Sequence, residues 1–123
     1  MTDARLLRAV RGAITVPEDS AEAIGEATAL LVTTVLERNA LEHEDVVSMI
    51  FTATADLHAE FPAAAARQVG LSDVPLICAQ EIPVEGAMPR CIRVMVHYYA
   101  PAGRPVRHVY LRDARQLRLD LPE

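Results

Sequence analysis

A single long amphipathic helix set among β-rich runs is the feature that most constrains this chain. The run Pro17 to Leu41 reads PEDSAEAIGEATALLVTTVLERNAL. Asp19 followed by Glu22 fits a helix N-cap and its third-position partner, and Asn39 fits a C-terminal stop. Ile24, Ala27, Leu31 and Val35 recur at helical spacing and form one apolar stripe. That stripe needs a sheet to cover, and the flanking segments supply one. Leu6–Val16, Val46–Thr54, Val74–Glu81, Cys91–Tyr99 and Val106–Leu111 read as strands. The last is expected to pair with the one before it across the turn APAGRP. Pro62 opens a short helix that Gly70 ends. The pattern predicts an α+β domain, a mixed sheet of about five strands with one long helix. One helix covers one sheet face, so the other must meet solvent or another copy, and oligomerisation is expected.

The strand faces can be read from alternation. Val10, Gly12, Ile14 and Val16 fall on one side of the first strand, and Ala9, Arg11 and Ala13 on the other. An arginine between two alanines sits on an open patch. In the fourth strand Ile92, Val94, Val96 and Tyr98 share one face, and Cys91, Arg93, Met95 and His97 the other.

Composition narrows the function. A chain of 123 residues fits one domain, residues 1–123. Hydrophobic residues are 51 % and charged residues 24 %, a globular balance rather than a disordered one. The formal net charge of -5 argues against nucleic acid or an anionic membrane as partner. No apolar run approaches the ~20 residues of a membrane helix, and MTDARLLRAVRG lacks an apolar signal-peptide core. Cys78 and Cys91 form no CxxC pair, so free thiols in a reducing compartment are expected. These features fit a soluble cytoplasmic protein.

All 12 basic side chains are arginine. Any carboxylate gripped here is therefore gripped by a guanidinium, which can hold it in a fork. There is no P-loop, no GxGxxG and no GxSxG elbow. His43, His58, His97 and His108 make no HxxxH or HxH pair, so no metal is expected. Asp56 and His58 stand two apart, either a ligand pair or a polar loop. What remains is a set of arginines on strands (Arg11, Arg93 and Arg107) with Glu81 ending an apolar strand. Taken singly, each also reads as an ordinary solvated residue. Cys78 reads equally as a small buried hydrophobe and Tyr110 as an amphipathic sheet residue.

The local strings add to this. RGAITV, TADLHAEFPAAAAR, CAQEIPVEG, RCIRVM and RHVYL, in this order from Arg8 to Leu121, resemble the monofunctional chorismate mutases of the small trimeric Bacillus type. The resemblance implies a pseudo-α/β-barrel homotrimer with active sites between subunits. It implies the isomerase that converts chorismate to prephenate in aromatic amino acid biosynthesis, with no cofactor. By the same resemblance Arg93 donates to the substrate's ether oxygen, and Arg11 binds the enolpyruvyl carboxylate with help from Tyr110. Glu81 and Cys78 lie near the ring hydroxyl, and Glu81 suits the positive charge that develops on the ring. Phe61 and Arg67 close the site from the adjacent subunit, and Leu117 forms an apolar wall. Ala64 departs from the pattern, standing where some relatives carry a lysine. Two other readings are a non-catalytic trimeric module that binds small carboxylates and a trimeric enamine/imine deaminase. Against the first, the set Arg11, Cys78, Glu81, Arg93 and Tyr110 is complete. Against the second, CIRVM and the RGA strand resemble the mutases.

Overall fold

A computed structural model describes residues 4–120. The chain runs β1 (Arg5–Thr15), α1 (Ala21–Arg38), β2 (Val46–Ala53), α2 (Pro62–Ala66), β3 (Leu76–Gln80), β4 (Cys91–Pro101) and β5 (Val109–Leu111). A 3-10 segment, Arg112–Leu117, follows β5. The sheet order is β3-β2-β4-β1-β5. β4 pairs antiparallel with both β1 and β2, and the two edge strands pair parallel, β3 on β2 and β5 on β1. This is the α+β mixed sheet expected.

The apolar stripe of α1 lies on one face of the sheet. Ile24, Ala27, Leu31 and Val35 are buried against Val10, Ile14, Ile92, Val94 and Val96. Gly12 makes this close approach possible. A Cβ there would meet Leu31 Cδ1 at 3.0 Å, the Val109 carbonyl oxygen at 3.1 Å and Val35 Cγ2 at 3.2 Å. The leucine and valine tips can yield, but the Val109 oxygen belongs to the backbone of β5. Gly12→Ala is therefore expected to destabilise the fold by about 1–3 kcal/mol through overpacking. Urea unfolding should show a lower midpoint at unchanged slope.

Two expectations change in detail. The helix cap is Ser20, whose hydroxyl accepts from Ala23 N at 3.1 Å. Asp19 turns away instead. One of its carboxylate oxygens accepts from the main-chain nitrogens of His58 and Ala59, each at 3.0 Å. β5 does not form a hairpin with β4 but lies beyond β1, because its approach is held from α1. The buried Asn39 side chain donates to the Arg107 carbonyl at 3.0 Å and accepts from Arg107 N at 2.8 Å. Asn39 also ends α1, as the sequence suggests.

Among the described residues, no α-helix lies over the opposite face of the sheet. Leu7, Ile50, Ile77 and Tyr99 are exposed there beside Arg11 and Arg93. Only its lower end is covered, where the 3-10 segment buries Ala13, Cys91 and Ala114 together. No helix among the described residues is long and apolar enough to cross a membrane.

Candidate active site

The open face carries a charged centre built by strand register. Ala13 pairs with Arg93 across β1 and β4, and Thr52 pairs with Arg93 across β2 and β4. Arg93 is thus central in the sheet and points away from the core. Its Nε forms an ion pair with Glu81 Oε2 at 3.0 Å. The Thr52 hydroxyl donates to the same oxygen at 2.6 Å. Glu81 lies just past the end of β3 and stays tied to the sheet through its main-chain nitrogen, which donates to the Ala53 carbonyl at 3.0 Å. The Glu81 side chain is only 19 % exposed, while Arg93 is 45 % exposed. The cation is the more exposed member of the pair.

The start of β4 is pinned just before Arg93. Arg90 takes a left-handed backbone conformation at φ 47°. Asp56 accepts from Arg90 N at 2.9 Å, and the Thr54 hydroxyl accepts from Cys91 N at 3.0 Å. Asp56 and His58 therefore face different partners, since His58 pairs with Asp19. Burial pushes the Cys91 thiol up to about 11; the Arg93 charge opposes this, and the charges of Glu81 and Asp56 add to it. That thiol is a neutral floor beneath the pair at pH 7.

A cavity of about 250 Å³ opens over this centre, lined by Arg11, Gly12, Ile50, Thr52, Arg93, Val94, Met95 and Tyr110. Arg11, Arg93 and Tyr110 are thus brought together in one subunit, and Glu81 joins them through Arg93. The remaining expected residues lie elsewhere. Cys78 pairs in register with Phe51, which is buried in the core, so Cys78 belongs to the helix-covered side of the sheet. There it lines a second cleft of about 370 Å³ with Leu57, Phe61, Pro62 and Gln80. β3 does end between Cys78 and Glu81, yet the two still reach opposite faces. Phe61 precedes α2 and is 71 % exposed. Arg67 is exposed where α2 ends, and Leu117 packs beside Tyr110 against the small cluster of Ala13, Cys91 and Ala114. Thr52 was not legible as a site residue, because threonine is common on any strand.

The family model for chorismate mutase type I matches residues 7–121. The chain belongs to the type I chorismate mutases. It is 50 % identical over 119 residues to chorismate mutase AroH of Thermus thermophilus, covering 94 % of this chain and 97 % of that protein. It is 43 % identical over 118 residues to chorismate mutase AroH of Bacillus subtilis, covering 94 % of this chain and 93 % of that protein. The solved structure of a chorismate mutase from Clostridium thermocellum superposes with a TM-score of 0.84 at 42 % identity, covering 89 % of this chain and 98 % of that one. The fold thus matches that of a solved chorismate mutase over most of the chain.

Proposed function

We propose that this protein catalyses the Claisen rearrangement of chorismate to prephenate, as a cytoplasmic homotrimer of single-domain subunits spanning residues 1–123. The observation that carries the reading is the Arg93–Glu81 pair, opposite charges 3.0 Å apart beside a cavity that Arg11 and Tyr110 also line. The rearrangement is unimolecular: one carbon–oxygen bond breaks as one carbon–carbon bond forms. No proton moves and no external nucleophile or redox partner is consumed, so the chemistry calls for no metal or cofactor. What it needs is a chair-like conformer and a field matched to the charge separation of the transition state.

The site residues suit that need. Arg11, with Tyr110, takes the enolpyruvyl carboxylate and fixes that end of the substrate. Arg93 meets the ether oxygen, where negative charge grows as the bond breaks. Glu81 faces the ring, which becomes electron-poor, and receives the ring hydroxyl. Interactions that strengthen as charge separates lower the barrier rather than merely binding the substrate. Thr52 and the Ala53 carbonyl hold Glu81 before substrate arrives. This matters because preorganised charge costs no rearrangement at the moment of reaction.

The two clefts support a site shared between subunits. The first, at about 250 Å³, is smaller than a usual small-molecule pocket of roughly 300–1,000 Å³. Cys78, Phe61 and Arg67 lie away from it and would complete it from a neighbouring copy, with Leu117 as an apolar wall. The exposed Leu7, Ile50, Ile77 and Tyr99 give the open sheet face an apolar surface for another copy to cover. The test is conversion of chorismate to prephenate by the purified protein. Binding without conversion would instead leave a carboxylate-binding module.

A further inference from the structure

Arg11 is held by a contact that the catalytic reading does not use. Its main-chain nitrogen donates to Nδ1 of His108 at 3.0 Å. The parallel ladder between β1 and β5 begins one residue later, at Gly12 and Val109. The imidazole therefore supplies a rung that the two backbones do not make. The residue before it, Arg107, is clamped at both its nitrogen and its carbonyl by Asn39 at the end of α1. A continuous linkage runs from α1 through Asn39, Arg107 and His108 to Arg11. Tyr110 lies two residues further along the same segment and lines the same cavity as Arg11.

We propose that His108, as the neutral imidazole bearing its proton on Nε2, is a positioning residue that sets the register of Arg11 against Tyr110 for carboxylate binding. The bond requires a bare Nδ1, because an imidazolium has only donors to offer an N–H group. Protonation would thus replace an attraction with a clash of donors beside a guanidinium. The charged groups acting on the ring are Arg11 on β1 and Arg118 beyond the 3-10 segment, the latter forked onto Asp120. The contact from α1 reaches it through the neutral Asn39 amide. Burial lowers the His108 pKa below its ordinary value, and the charges of Arg11 and Arg118 lower it further. The neutral form therefore persists to below about pH 6.5, the ordinary histidine value.

This inference rests on Arg11 binding a substrate carboxylate, so Arg11→Ala is measured alongside. His108→Leu removes the acceptor; His108→Asn keeps an oxygen near the place of Nδ1 and cannot titrate. Steady-state kinetics on chorismate from pH 5 to 8, on samples checked for fold and oligomeric state, should give three results. His108→Leu raises KM by about ten-fold with kcat little changed, the size of one lost hydrogen bond on a binding group. His108→Asn stays within about two-fold of the parent at neutral pH. The parent's kcat/KM falls on the acid side, and that fall is absent in His108→Asn. A raised KM in Arg11→Ala with a normal KM in His108→Leu would overturn the role of His108 alone. A normal KM in Arg11→Ala would overturn the carboxylate reading itself. Should His108→Leu not fold, an acid-side fall that survives in His108→Asn overturns the proposal.

Discussion

Arg93→Ala is expected to lower kcat by at least about 10²–10³, the loss typical of one preorganised transition-state donor. The side chain is nearly half exposed on the open face, and its backbone rungs to Ala13 and Thr52 do not depend on it. The fold and the assembly should persist, which separates this variant from a simple loss of structure. KM should change far less than kcat, because the ether oxygen is a weak acceptor in bound chorismate and a strong one in the transition state. Arg93→Lys should recover only part of the rate. A guanidinium can hold Glu81 through Nε and present its terminal nitrogens to substrate at once, whereas an ammonium is a single compact charge. Kinetics of both variants, beside size-exclusion profiles and thermal melts, would check this.

The second large effect concerns mixed assemblies. Arg11, Arg93 and Tyr110 line one cleft, while Cys78 and Phe61 line another. If each site joins the first cleft of one subunit to the second cleft of its neighbour, two inactive variants can repair each other. An Arg93→Ala subunit still offers Phe61 and Arg67; a Phe61→Ala, Arg67→Ala subunit still offers Arg93. Unfolding the two together in equal amounts and refolding them should recover about a quarter of parental activity, the share of randomly formed contacts that unite two intact halves. Each variant refolded alone should stay near its own low level. A mixture no more active than the mean of its components would mean that each site is complete within one subunit.

Much of this fold is legible in the residues, for definite physical reasons. The α1 stripe is wide and unbroken, so its period declares both the helix and the face it buries. Alternation in Cys91–Tyr99 separates the buried Ile92, Val94 and Val96 from the outward Arg93. Where two local solutions have similar energies, the sequence does not choose. Asp19 and Ser20 are both good caps, and the choice follows from the His58 loop arriving to claim the carboxylate of Asp19. The partner of β5 is likewise set by a distant side chain, Asn39, rather than by the turn that precedes the strand. Cys78 and Glu81 are close in sequence but separated by the sheet itself, and only the register of Cys78 with buried Phe51 reveals it. Thr52 and His108 were hidden for a different reason. Each acts on another site residue, and nothing in its own type or spacing marks that task.

The most direct measurement is proton NMR of chorismate incubated with the purified protein in buffer containing a metal chelator. The expected result is a one-to-one conversion to prephenate, at a rate proportional to protein concentration and strongly reduced in Arg93→Ala. Loss of chorismate at the spontaneous rate, in a sample that demonstrably binds it, would contradict catalysis and leave a binding protein of the same fold.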